Sequence, residues 1–595
     1  MQVTSVENIL GNLKLIPLRA LIPDREPYYA MLLQPQGYIR ATDQHVGHAN
    51  TEMGSAMCRS FFKEAVEKHA HLVVTPEYSV PWSVIEDIIE GRIRPDRGSI
   101  WILGCESITP DELTSFVEKF NDRECFFYHE PIDPAQKTQK RFIDPLLYVF
   151  WCHDKEGRDI LSFVIQFKTT PCRDGLDVEQ RSLYLGKHVY SFNRGINQIS
   201  LLSIICSDAF EFTDALVNEY HTNCLLIHIQ LCPKPGHTDF TAYRRRLCSV
   251  GSSNNVELLC LNWARGVRTI SNSTPTNWNN NAGSAWYVPP SKFNCKDEYV
   301  ESAHRAGIYY SIVSDRWHTF YLNYGPQIML IQKQKLFFHG LPQALCPLSC
   351  LTVIERWEWN EDTKTWITKH EADDGFTKIA NSYPSLSQHL PALAAISPLA
   401  VERALEFLDG PNGNPGTWFY LDEMSAMKVD EHESIRRITV HQEIDLAGSG
   451  VFFRRARLQK AQDAVTLPGQ GVRWPDPVKD LEGGFRFQWC EDDPHRNVVS
   501  LGSGITASLV YLGDQSDDEM IDPVYRKVKY AIMQQAIAVA NTTGTDLEQV
   551  LPSASDRLCV IFRRNHAINV WRPLGSNRID RPPADSAVDI AGGEE

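Results

Sequence analysis

The feature that most narrows the folds open to this chain is a series of short apolar runs, each about one strand long. They fall at residues 29–34, 72–75, 101–104, 146–152, 161–167, 201–205, 225–230 and 256–261. A run that is apolar at nearly every position has to be covered on both faces, as strands of a helix-covered sheet are. Amphipathic stretches lie between the runs. Met53, Met57, Phe61 and Ala65 recur at four-residue steps and predict a helix over 53–69. Pro81 opens another helical stretch, and 214–221 and 240–249 suit two more. Further strands are expected at 283–287, 307–313 and 318–323. The alternation gives an α/β domain whose sheets carry helices on one side and pack on each other on the other.

Three of the runs end in chemically distinct groups. Leu72-Val73-Val74-Thr75-Pro76-Glu77 ends on a carboxylate, and Phe163-Val164-Ile165-Gln166-Phe167-Lys168 ends on a cation. Leu201-Leu202-Ser203-Ile204-Ile205-Cys206-Ser207-Asp208-Ala209-Phe210 delivers a cysteine to the point where a strand gives way to a polar turn. A strand end fixes the backbone of a nucleophile, and the free N–H groups of the turn that follows can receive a developing oxyanion. Any one of these residues alone reads as structural, since most cysteines are small buried hydrophobes. Their order and contexts together point to thiol chemistry.

These residues resemble the nitrilase superfamily of carbon–nitrogen hydrolases, which uses a Glu-Lys-Cys triad. The resemblance covers about residues 27–330. The spacing of Lys168 and Cys206 suits that family, as does the segment Cys206-x-Asp208-x-Phe210. Glu179 matches a second glutamate of many members, with Asp174 and Asp177 nearby as alternatives. Asn254-Asn255 and Asn262 fall where the family places asparagines before and after a strand. The resemblance implies a four-layer αββα sandwich and a hydrolase acting on a non-peptide C–N bond (amide, ureido or nitrile) of a small molecule. Cys206 would be the nucleophile, Glu77 the base, Lys168 the oxyanion partner, and Glu179 would orient Lys168 or the substrate. It implies no metal and no cofactor, and at least a homodimer. Thr170 stands where members often carry histidine, Ala209 where an arginine or aromatic is common, and no proline follows Phe210. These departures border the pocket and bear on the substrate more than on the triad.

A second reading is a catalytically silent or partner-gated nitrilase fold used as an assembly module, recruited through residues 331–595. Nitrilase-like domains also occur in bacterial antiviral systems, which makes an accessory role in defence a further alternative. Retention of glutamate, lysine and cysteine together favours the enzyme, because a scaffold has no physical need of the three.

The 595 residues suffice for two or three domains. We expect a lead segment over 1–26 with an amphipathic element from Val6 to Ile22, the hydrolase-like domain over 27–330, an unrecognised α+β domain over 331–573, and a disordered tail over 574–595. Residues 105–144 read as an insertion near the site. The C-terminal half is expected to hold strands at 438–440, 451–453 and 558–562 and a helix beginning at Asp522-Pro523, with Val524, Val528, Ile532, Ala536 and Val539 on one face. A net charge of −15 argues against a dedicated nucleic-acid binder. Fifteen cysteines lack the dense pairing of a small secreted scaffold. Cys346 and Cys350 have no partner pair at metal spacing, and His432 and His441 share no helix face. With no signal-like N-terminus or membrane-length apolar run, the expected compartment is the cytoplasm. Gly502-Ser503-Gly504-Ile505-Thr506 faintly echoes an ATP-pyrophosphatase loop, but Thr506 replaces its aspartate, so a polar turn is expected.

Overall fold

We analysed a computed structural model of the chain. It describes residues 1–572 except 121–124, 173–176, 194, 196, 221, 234–237, 250–254, 265, 272–273, 278–283, 290–301, 304–305, 315–316, 324, 337–350, 371–382, 391–392, 394–397, 411–448, 491–492, 494 and 516. The expected tail over 574–595, the 438–440 strand, Cys346, Cys350, His432, His441, Asp174 and Asn254 lie outside the described residues. The chain divides into two compact units, 1–372 and 373–595.

The first unit is built on two large sheets. One runs in the order Thr365–Thr368, Leu351–Asn360, Gln327–Lys333, Tyr28–Gln34, Leu72–Val74, Ile100–Gly104, Pro145–His153, Asp159–Phe167, Cys125–His129. The other runs Gln2–Ser5, His188–Phe192, Ser200–Ile205, Cys224–Ile229, Val256–Leu261, Ala285–Val288, Trp317–Leu322, Ile308–Ser314.

Side chains alternate between the faces of a strand, and the alternation builds the layers. Met31, Leu33, Val73, Trp101, Leu103, Leu147, Phe163 and Ile165 form one core with Met57, Phe61, Phe62 and Ala65 of the helix Thr51–Glu67 and with Val84, Ile85 and Ile88 of Trp82–Ile89. The intervening residues face the second sheet. Gln166 donates to the Ser203 carbonyl (3.0 Å) and accepts from the Tyr190 N–H (2.9 Å), and Tyr148 and Phe150 pack on Phe192. On the far side of the second sheet, His228 packs against Phe240 and Tyr243 of the helix Thr238–Ser249. The result is helix, sheet, sheet, helix: the expected four-layer αββα sandwich.

The lead segment is more interleaved than a single amphipathic element. Val6–Ile9 is a short helix, Gln2–Ser5 pairs parallel to His188–Phe192 in one sheet, and Lys14–Leu15 pairs with the end of Pro145–His153 in the other. The stretch read as an insertion, 105–144, contributes the helix Pro110–Phe120 and the edge strand Cys125–His129, parallel to Asp159–Phe167. Residues 351–368 close the opposite edge of the same sheet as a hairpin, and Trp366 donates from its indole to the Met57 carbonyl (3.1 Å). The first unit therefore runs on past the expected boundary at 330.

The second unit has a five-stranded sheet in the order Phe485–Phe487, Val498–Ser500, Thr506–Asp514, Leu558–Arg564, Ala567–Val570. Leu509 and Tyr511 face Leu405, Leu408 and Leu458, while Val510 and Leu512 face Val528 and Ile532. Residues 451–453 lie in the helix Ser449–Val465, not in a strand: their apolar triplet opens a stretch rich in Ala, Arg, Gln and Lys, which are strong helix formers. The long helix runs from Asp518 to Thr543, one turn earlier than expected, because the Asp517 side chain caps the Glu519 N–H (2.9 Å). Pro523 sits inside that helix, and Val539, expected on the buried face, is 42% exposed. Thr506–Asp514 and Leu558–Arg564 are parallel and joined through helices, so this unit holds a β-α-β crossover within its α+β content.

Candidate active site

Strand direction alone gathers the site. Leu72–Val74 and Ile100–Gly104 are parallel, Pro145–His153 is antiparallel to them, and Asp159–Phe167 is antiparallel to that. Glu77, just past the first strand, therefore shares one sheet edge with Lys168, just past the last. Asp144, just before Pro145–His153, joins them there. In the facing sheet Ser200–Ile205, Cys224–Ile229 and Val256–Leu261 are parallel, so Cys206, Leu231 and Asn262 share an edge.

The Glu77 loop is held from several sides. Gly104 lies so close to it that a β-carbon there would stand 2.2 Å from the Pro76 carbonyl oxygen. Thr75 Oγ1 accepts from the Gly104 N–H (3.0 Å), and the Trp263 indole donates to the Glu77 carbonyl (2.7 Å). Tyr78 adopts a left-handed φ of 56°, which a bulky residue keeps only when its surroundings over-determine it. The Glu77 carboxylate accepts from Lys168 Nζ at Oε1 (2.6 Å) and from the Leu231 N–H at Oε2 (2.5 Å).

Lys168 is completely buried, and Glu77 is 1% exposed. Burial alone would strip the ammonium of its proton, yet Glu179 and Glu77, with Cys206 and Asp144 behind them, hold it well above the usual lysine range. Lys168 donates to both oxygens of Glu179 (2.9 and 2.7 Å), which also accepts from the Tyr78 hydroxyl (2.9 Å) and the Cys172 N–H (2.7 Å). Four donated bonds fix Glu179 as the anchor of the lysine. Asp177, the described alternative, opens the same short helix, Asp177–Ser182, but Glu179 is the residue turned onto Lys168.

Burial pushes Glu77 above the ordinary carboxylate range. Lys168 pulls it back, and Glu179 pushes it up again.

Cys206 follows Ser200–Ile205 directly, with a left-handed φ of 40°. Its backbone is pinned through two neighbours. Asp208 Oδ1 accepts from the Thr169 N–H (2.8 Å), the Thr169 hydroxyl (2.8 Å) and the Thr170 N–H (3.0 Å), and its Oδ2 from the Ile205 N–H (3.1 Å). The Ser207 hydroxyl donates to the Thr170 carbonyl (2.6 Å). The cysteine turn is thus stitched to the segment that carries Lys168. Thr170, where the family often has histidine, spends its backbone on that seam. His228 is buried and driven down to about 3, hence neutral, and its Nε2–H donates to the Cys206 carbonyl (2.8 Å).

The Cys206 thiol is 1% exposed. A hydrogen bond to Cys232, then burial, then the field of Glu77 push it well above the usual thiol range, and Lys168 opposes them. Cys232 is positioned by Asn262, which accepts from the Cys232 N–H (3.1 Å) and donates to its carbonyl (2.9 Å). Asn255, at the other end of Val256–Leu261, donates to Asn223 (3.0 Å), so of the two described asparagines only Asn262 touches the site's wall.

The reasoning from sequence missed Asp144 and Cys232. The carboxyl oxygens of Glu77, Asp144 and Glu179 lie within 4.8 Å of one another, as a metal's ligands would. The Lys168 ammonium already supplies the positive charge among them, at 2.6 Å, 3.5 Å and 2.7 Å. A lone aspartate in Phe142-Ile143-Asp144-Pro145-Leu146 was the available signal.

Among solved structures, the chain is similar to a glutamine-dependent NAD+ synthetase from Acinetobacter baumannii, at 10% identity over 53% of this chain and 48% of that one, with a TM-score of 0.30. This chain thus spans about half the length of the synthetase. It is similar to an amidase from Nesterenkonia sp. at 14% identity over 45% of this chain and 84% of that one (TM-score 0.25). It is also similar to a carbon–nitrogen hydrolase from Helicobacter pylori G27 at 12% identity over 44% and 82% (TM-score 0.24). No protein-family profile and no curated protein matches the chain. Among the described residues no helix is long and apolar enough to cross a membrane.

Proposed function

We propose that the first unit is a thiol-dependent hydrolase that cleaves a non-peptide carbon–nitrogen bond of a small molecule through a covalent intermediate on Cys206. The observation that carries this reading is the buried Glu77–Lys168 pair at 2.6 Å, with the Cys206 thiol inside the fields of both.

The attacking species is a thiolate, so a base has to take the thiol proton. Glu77, raised by burial above the ordinary carboxylate range, is the base that takes it. The sulfur attacks the carbonyl or nitrile carbon, and the electron pair moves onto the substrate oxygen or nitrogen. Lys168 faces the negative charge that develops there, in a site without bulk water to screen it. Collapse of an amide adduct expels the amine, which takes the proton from Glu77 and leaves a thioester. Glu77 then deprotonates a water that attacks the thioester, releasing the acid and restoring the thiol. Glu179 keeps the ammonium aimed and charged.

The test is ammonia release from a panel of amides, ureido acids and nitriles, comparing the wild type with Cys206→Ala and Glu77→Gln. Turnover that falls by at least ~100-fold in both variants supports the reading. Turnover that survives Cys206→Ala contradicts it, and silence across the panel moves the weight to an assembly module gated or recruited by a partner.

A further inference from the structure

Asp144 is the one carboxyl of the cluster that the reaction above leaves without a task. It is completely buried at the start of Pro145–His153, and its carbonyl is pinned by the Lys168 N–H (3.0 Å). Neither of its carboxyl oxygens receives a hydrogen bond from a donor among the described residues. Lys168 Nζ lies 3.5 Å away, already committed at shorter range to Glu77 and Glu179. The Glu77 carboxyl lies beside it, one oxygen from each of Glu77, Asp144 and Glu179 falling within 4.8 Å of the others. Two ionised carboxylates repel at that separation and have no proton to share. The contact becomes attractive only when one of them carries a proton.

Charge and donors decide which one. Three carboxylates surround a single ammonium in a buried site, and a net charge of minus two there is costly. Glu179 accepts four hydrogen bonds and Glu77 accepts two, one from a cation, so both carboxyls are supplied with donors. Asp144 has no such donors among the described residues. We propose that Asp144 is a positioning residue that keeps its proton at rest and donates it in a hydrogen bond to Glu77, fixing the orientation and the basicity of that carboxylate. This rests on the reading of Glu77 as the base.

Burial first, then the Glu77 and Glu179 charges, push Asp144 well above the usual carboxylate range, against the pull of Lys168. The titratable groups facing it are Glu77 and Tyr78 from the loop after Leu72–Val74, Cys105 after Ile100–Gly104, Lys168, and Glu179. The hydrogen bond from Asp144 lowers the basicity of Glu77. As Glu77 accepts the thiol proton the pair holds two protons, and as the amine leaves it returns to one, so the two carboxyls titrate as a unit.

The deciding measurement is the infrared spectrum of resting full-length protein near neutral pH, labelled with ¹³C on aspartate carboxyls. The expected result is a protonated-carboxyl C=O band that shifts with the label, is present in wild type and Cys206→Ala, and is absent in Asp144→Asn. Should Asp144→Asn not fold, Glu77→Gln serves instead, since removing the neighbouring charge and acceptor should shift or abolish the same band. A labelled band that is missing in the wild type, or unmoved by either variant, overturns the proposal whether or not the protein turns over any amide. In the active enzyme, Asp144→Leu should lower kcat/KM by at least about tenfold, and Asp144→Asn, a neutral donor of the same shape, should recover most of that loss while altering the pH profile. Equal losses in the two variants would contradict the role as donor. An intact band with no turnover in any condition would sink the hydrolase reading and leave the protonation of Asp144 standing.

Discussion

Cys232 and His228 act on Cys206 from opposite sides, one on its thiol and one on its carbonyl. The contact with Cys232 is the largest influence raising the Cys206 thiol, so Cys232→Ala should speed its alkylation at neutral pH by several-fold. An unchanged rate would mean the contact does not stabilise the protonated thiol. His228 is ionised near 6.5 in an unfolded chain but only near 3 in the fold. Between those values the unfolded state binds the extra proton, so the contribution of neutral His228 is complete above pH 6.5 and is lost as the pH falls toward 3. The stability gap between wild type and His228→Gln should therefore shift against the wild type by up to roughly 1.4 kcal/mol per pH unit across that window, measured by urea unfolding. A gap independent of pH would contradict the buried neutral ring. Glu77, Lys168 and Cys206 were legible because each follows an apolar run, and Glu179 through its match to a second glutamate of the family the sequence resembles. Asp144 was not, because it precedes one, within a stretch that read as insertion.

Among elements, the loop carrying Glu77 is the most constrained. Gly104→Ala would place a β-carbon against the Pro76 backbone, which has no flexible side chain to yield. We expect a loss of roughly 2–4 kcal/mol of stability and a larger loss of activity than the unfolding alone explains, since Glu77 must move. A variant as stable and active as the wild type would show that the loop tolerates displacement. The central strands of the first sandwich, such as Leu72–Val74, Ile100–Gly104 and Val256–Leu261, were readable because they are buried on both faces, and their lengths agreed within a residue or two. The signal failed where local chemistry competed. The triplet at 451–453 looks β-like in isolation but opens a helix, and Pro523 looks like a helix start but is preceded by a turn capped by Asp517.

For the whole molecule, the boundary between the two units falls between 372 and 373 and not near 330. The hairpin of Leu351–Asn360 and Thr365–Thr368 lies beyond the expected boundary because nothing in its pattern tells which sheet it joins. It buries Trp357 and Trp366 in the core of the first sheet. A chain ending at residue 372 should remain folded and monodisperse, while one ending at 330 should cut through the strand Gln327–Lys333 and aggregate. Equal behaviour of the two would remove the hairpin from the first unit. Covalent chemistry at Cys206 is tested by intact mass spectrometry of the wild type quenched with acid during turnover of an amide panel, alongside Cys206→Ala. An acyl adduct that maps to Cys206 and is absent from Cys206→Ala is expected. An adduct on another cysteine, or ammonia release with no dependence on Cys206, would contradict it.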